Sequence, residues 1–151
     1  RYEPGVLEAR GTKNGKVVLL EKRETTGYPA SIHLTADRNE INADGEDLAV
    51  LRVEVLDKDG RKVPTADSMI NFKVTGEGKL IGVGNGDPNC QESDKEPQRS
   101  LFNGLAQAIV QSSRTTGTIT VEASTDDWSP KPSPALVTIT TKRVDLRPSV
   151  H

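Results

Sequence analysis

The sequence predicts an all-β chain: an immunoglobulin-like antiparallel β-sandwich of about seven strands, preceded by a hairpin. Three observations carry that expectation. Apolar and polar residues alternate with period two in run after run, which places successive side chains on opposite faces of a sheet. Turn signals stand between the runs: Asp44-Gly45, Asp59-Gly60, Gly76-Glu77-Gly78, Asn85-Gly86 and the proline-rich "DDWSPKPSP". Connections of this kind suit hairpins and Greek-key corners rather than the long crossovers that parallel strands need.

In chain order, "VLEARGTKNGKVVLLEKRETT" comes first, two strand-like runs around Asn14-Gly15, a strong hairpin signal. A lone hairpin is marginal in water, and Gly27-Tyr28-Pro29 reads as a junction. Residues 1–28 are therefore expected to be the closing strands of a preceding immunoglobulin-like domain, residues 29–143 the sandwich, and residues 144–151 a loose tail. Within the sandwich, Ser31–Thr35 should turn Ile32 and Leu34 inward, and in "LAVLRVEVLD" Ala49, Leu51, Val53 and Val55 share one face. Met69–Val74 should bury Ile70, Phe72 and Val74. Gly117–Ala123 should bury Ile119, Val121 and Ala123, and Ala135–Thr141 should bury Val137 and Ile139.

Two segments are less regular. "LIGVGNGDPNC", residues 80–90, reads as a strand easing out into a turn, its glycines serving positive φ or a close approach of backbones. "RSLFNGLAQAIVQS" has a helical alternative carrying Leu101, Leu105 and Ala108, but Gly104 alone would cost that helix about 1 kcal/mol. It is read instead as one long strand, with Phe102, Gly104, Ala106, Ala108 and Val110 on one face.

Bulk properties narrow the function classes. A chain of 151 residues suffices for one domain, and such a chain buries roughly 68–70% of its unfolded surface. The net charge is −2, with 20 Lys and Arg interspersed among 22 Asp and Glu, so no basic stripe recommends nucleic acid or a membrane surface. Tyr2, Tyr28, Phe72, Phe102 and Trp128 are the whole aromatic complement, which leaves little for stacking on bases. No apolar run approaches the roughly 18 residues that membrane insertion requires. Cys90 is the one cysteine, so neither an intrachain disulfide nor a cysteine-rich zinc site is expected. That fits the cytosol and equally a periplasmic or secreted domain whose core needs no staple. The chain starts at Arg1 without a signal-peptide pattern, and is expected to be a piece of a longer polypeptide whose targeting signal lies elsewhere.

Motifs for chemistry fall away one by one. A dinucleotide fingerprint would need glycine at Asp87 and a helix after it, whereas Pro88 and a polar stretch follow. "DKDG", Asp57 to Gly60, starts like a calcium loop but continues with Arg61, Lys62 and Ser68 where an oxygen ligand, glycine and glutamate belong. A β-turn is expected there. His33 should face solvent from a strand, His151 is terminal, and Cys90 has no identifiable base, so no triad is indicated. A carboxylate pair about 5–9.5 Å apart needs a cleft, which a small sandwich rarely has. No metal or other cofactor is expected. Trp128, in "TDDWSPKP", is the single candidate for carbohydrate contact, because sugar rings stack on such side chains. The competing reading, which tryptophan's usual burial favours, has it cap the sandwich core or pack on a neighbouring domain. Pro130, Pro132 and Pro134 read as a rigid loop or edge segment.

The pieces "LTADR", "INADGEDLAVLRVEVLDKDG", "GVGNGDP" and "FNGLAQAIV", in that order over roughly residues 29–125, resemble the C-terminal immunoglobulin-like domain of glycoside hydrolase family 2 enzymes, mainly β-galactosidases. "YEPGVLEARGTKNGKVV" looks like the last strands of the sandwich domain before it. In that family the catalytic glutamates sit on a (β/α)8 barrel nearer the N-terminus, so the resemblance places no catalytic residue here. It implies a non-catalytic accessory domain whose partners are the other domains of a bacterial glycosidase, an O-glycosyl hydrolase that is periplasmic, secreted or cytoplasmic. Two alternatives come from other classes. "ADG…V.V.D..G..V" is also similar to invasin and intimin surface-stalk modules, although no internal repeat is visible. A free carbohydrate-binding module would rest on Trp128 alone.

Overall fold

A computed structural model describes residues 3–144; the expected tail, with His151, lies outside the described residues from position 145 on. At the N-terminal end, β1 (Val6–Lys13) and β2 (Lys16–Glu24) form an antiparallel sheet of their own. Asn14 and Gly15 join them with φ of 52° and 74°. Two positive φ values in a two-residue loop give the turn whose twist matches that of the strands it connects.

The remaining strands build two facing sheets. One runs β4 (Glu40–Asn42), β11 (Ala135–Lys142), β10 (Gly117–Ser124), β6 (Met69–Gly76), β8 (Gln98–Ser100). The other runs β3 (Ser31–Ala36), β5 (Leu48–Leu56), β9 (Leu105–Ser112), β7 (Gly78–Gly84). Every pair is antiparallel except β4 on β11. The seven strands of six or more residues are the expected ones; β4 and β8 add three-residue edges. Short edges of this kind leave few unpaired backbone groups for another chain to pair with.

The core lies between the sheets. Ala49, Leu51, Val53 and Val55 of β5 are fully buried, as are Ile70, Ile119, Val121, Ala123 and Ile139 from the opposite sheet. Their period-two spacing is what aims each strand's apolar face inward. Between β6 and β7 only Glu77 intervenes while the chain changes sheets. That corner depends on two glycines: a Cβ on Gly76 (φ 91°) would stand 2.1 Å from the Thr118 carbonyl oxygen, and one on Gly78 would stand 2.5 Å from Ile119 Cδ1. In "LIGVGNGDPNC", by contrast, only Gly86 takes a positive φ, 80°, while Gly82 and Gly84 lie within β7.

The long strand expected over residues 99–112 is two elements. β8 ends at Ser100 in one sheet, and the chain reverses at Asn103-Gly104 (φ 53° and 73°) before β9 begins in the other. A bridge pairs Phe102 with Leu105 across this turn. Phe102, expected inward, is 38% exposed, whereas Ala106, Ala108 and Val110 do face the core.

Candidate functional site

Hairpin and sandwich meet at one seam. The connecting segment is held at three points: Arg61 Nε donates to Glu24 Oε2 (2.6 Å), Gly27 N–H to Asp57 Oδ2 (2.9 Å), and Ala30 N–H to the Leu56 carbonyl (2.9 Å). Asp57 leaves the end of β5 and opens the turn that the sequence predicts; Gly60 N–H closes it on the Asp57 carbonyl at 3.0 Å, with φ 78° at Gly60. The second carboxylate oxygen of Asp57 accepts the N–H groups of Asp59 and Arg61, each at 2.9 Å, and the side chain is wholly buried. Both oxygens thus face protein donors. The Gly27 N–H, then that of Arg61, holds the Asp57 carboxyl below the usual carboxylate range. Hydrogen bonds from Lys22 and Arg61 do the same for Glu24, and the Arg61 guanidinium is shifted upward in return by Glu24 and Asp59. Beside the seam lies a cleft of about 600 Å³ lined by Pro4, Thr26, Tyr28, Pro29, Pro64 and Thr65 among others, with Tyr28 93% exposed.

The hairpin itself is uncovered. Val6, Leu7, Val17, Val18, Leu19 and Leu20 are each more than half exposed. Cross-strand pairing puts Leu7 and Leu19 on one face and Val6 and Leu20 on the other. Apolar groups are thus exposed on both faces of a two-stranded ribbon, an arrangement that is marginal by itself in water.

Trp128 stands in the loop between β10 and β11, partly buried against the sandwich core, and its Nε1–H donates to Ser68 Oγ at 2.7 Å. Asp127 ties the loop to the start of β6, its Oδ2 accepting the Met69 N–H (2.7 Å), and Asp126 pairs with Lys131 within the loop. The indole's one polar atom is therefore already used within the chain.

A third cluster underlies "GVGNGDPNC". Arg99 of β8 is 6% exposed and reaches three groups: the Val83 carbonyl (3.0 Å), the Glu92 carbonyl (3.1 Å) and Cys90 Sγ (3.0 Å). Asn85 Nδ2 donates to the Ser100 carbonyl at 2.9 Å, and Glu92 Oε2 accepts the Ser100 N–H at 2.9 Å. Burial pushes the Glu92 carboxyl upward, but the Ser100 bonds and the Arg99 charge prevail and hold it low. His33 is exposed on β3, facing Glu54 at 4.0 Å, while Cys90 follows β7 at the opposite edge of that sheet. The structure does not bring them together.

Among the described residues, the carboxyl groups of Glu24, Asp44, Asp47, Glu54, Asp57 and Glu92 are all shifted downward. Glu54 shows how: buried on the outer face of β5, it is held ionised first by Lys62 (2.7 Å), then by Arg52 (3.1 Å) against its own desolvation. A glycosidase acid must be shifted the other way, to keep its proton near neutral pH. Each of these carboxylates is engaged by backbone N–H groups or cationic side chains of the chain itself. Sequence reasoning missed Asp57, Arg61 and Arg99; the only signal was the "DKDG" turn, whose first aspartate caps the turn with its own side chain.

A nine-stranded immunoglobulin-like sandwich with a hairpin pinned to one loop defines the class of protein, a β-sandwich module. The chain belongs to the family of glycoside hydrolase family 2 C-terminal domain 5, whose model matches residues 32–132. Beta-galactosidase BoGH2A of Bacteroides ovatus is 38% identical over 126 residues, 83% of this chain and 15% of that enzyme. A beta-glucuronidase of Formosa agariphila is 32% identical over 125 residues, 81% of this chain and 12% of that one. A glycosyl hydrolase family 2 member from Bacteroides cellulosilyticus superposes with a TM-score of 0.87 at 33% identity, covering 93% of this chain and 18% of its own. The C-terminal fragment of intimin shares the fold alone, with a TM-score of 0.51 at 23% identity over 74% of this chain and 33% of the fragment. The chain spans between 11% and 15% of the length of the curated relatives it matches.

Proposed function

We propose that this chain is a non-catalytic accessory domain of a β-galactosidase-like glycoside hydrolase, and that it packs against and orients the other domains of that enzyme. In this reading residues 1–28 close a neighbouring immunoglobulin-like domain and residues 29–143 are the accessory sandwich. The parent would hydrolyse terminal β-galactosides or related β-glycosides, with its acid and nucleophile on another domain. One observation carries the reading most: a hairpin with apolar side chains exposed on both faces is clamped onto a sandwich whose own core is closed. The downward-shifted carboxylates and the small share of each relative that the chain spans support it.

Hydrogen exchange on the chain by itself tests this. The β1 and β2 amides are expected to exchange at least about a hundredfold faster than those of β5, β9 and β10, because nothing covers the ribbon. Equal protection in both regions would mean that the hairpin is complete as it stands, and would count against a neighbouring domain. Sugar contact at Trp128 is the second reading, supported by the partial exposure of its ring and opposed by its bonded N–H. Titration with galactosides and plant oligosaccharides decides it: binding that Trp128→Ala abolishes establishes the contact, and no binding by either form leaves the scaffold role.

A further inference from the structure

We infer that Asp57 is the positioning residue that fixes the hairpin, and with it the neighbouring domain it closes, at one orientation on the sandwich. The inference rests on the accessory-domain reading and adds how that role is performed. Its basis is geometric. The connecting segment is held at Glu24, Gly27 and Ala30, three residues apart, and all three bonds go to Leu56–Arg61, a stretch contiguous with β5. β5 is a central strand with fully buried inward residues, so the anchor continues a strand fixed in the core.

Asp57 is the centre of this arrangement because its two oxygens do different work. Oδ1 accepts the N–H groups of Asp59 and Arg61 and so shapes the turn; Oδ2 accepts the N–H of Gly27 and so holds the linker. The same turn aims Arg61, whose Nε reaches Glu24 at the end of β2 and whose Nη1 reaches Asp59. Turn and linker are therefore coupled through one carboxylate. Asparagine is nearly isosteric but has one acceptor oxygen and a donor NH2. At position 57 it can satisfy the turn or the linker, but at the other side it would set donor against donor.

Residual dipolar couplings on the 151-residue chain test the assignment. In the unmodified chain one alignment tensor should fit both the hairpin and the sandwich. In Asp57→Asn the sandwich couplings should be retained while those of β1 and β2 fall by about half or more, the signature of independent reorientation. Gly27→Pro removes the linker N–H and fixes φ at position 27 but leaves the turn's bonds to Asp57 Oδ1 in place, so it should give the same result and decides the matter if Asp57→Asn disturbs the sandwich. A hairpin that keeps the sandwich's tensor in the folded variants overturns the role of Asp57. That outcome leaves the accessory-domain reading untouched, since uncovered strands and an unclamped linker are read by different experiments.

Discussion

Single carboxylates and one buried guanidinium do much of the joining in this chain, and their ionisation has a predictable consequence. For Glu54, Asp57, Asp47 and Glu92 the folded-state pKa lies below the ordinary value of 4.5 for Glu or 3.8 for Asp. A depressed carboxyl pKa contributes stability that is fully present above the unfolded value and is lost as pH falls through the folded one. The urea midpoint should therefore hold steady above about pH 5 and decline progressively as pH drops below about 4.5; a midpoint that is flat down to pH 3 would contradict the shifts. Arg99 supplies the converse case. Arg99→Ala leaves the Val83 and Glu92 carbonyls without their donor and opens a void, and should cost about 2–4 kcal/mol in urea unfolding. At this scale the sequence was only half legible. "DKDG" announced a turn, but the partner that makes Asp57 a clamp is Gly27, thirty residues away. Arg99 sits in a polar run in which nothing marks an arginine for burial.

At the scale of elements, period-two alternation chose the inward face of β3, β5, β6, β9, β10 and β11, because one face of each lies against a closed core. It failed at Asn103-Gly104 for a specific reason. A two-residue turn inverts the parity of the pattern: Phe102 and Leu105 pair across it and share the exposed face, while Leu101 and Ala106 are buried, so a straight-strand reading assigns Phe102 to the wrong side. The dipeptide was the better signal, as it had been at Asn14-Gly15. These two turns also make a paired prediction. At Gly104 a Cβ would stand 2.2 Å from the Val63 carbonyl oxygen, whereas at Gly15 nothing lies within 4 Å, and both residues have positive φ. Gly15→Ala should cost about 1 kcal/mol, all of it local to the hairpin. Gly104→Ala adds a backbone clash inside the sandwich and should cost about 3 kcal/mol or more in thermal or urea unfolding. Equal effects would mean that the reversal between sheets is softer than its geometry implies.

The whole molecule combines a closed sandwich with an unclosed ribbon, and the two call for different explanations. The sandwich buries its own apolar faces and uses its acids to secure loops. The ribbon exposes apolar side chains on both faces, which is the ground for proposing that further layers cover it. Relatives about seven to nine times longer than the matched span leave room for such layers. The role of an accessory sandwich is not written in its fold; the proposed one is supported by the seam, the exposed hairpin and the direction in which the resolved carboxyl groups are shifted. The most direct measurement is hydrolysis of a chromogenic β-galactoside and β-glucuronide by this chain alone, across neutral and mildly acidic pH. The account predicts no turnover above buffer. Turnover that a single carboxylate substitution such as Glu54→Gln abolishes would contradict it.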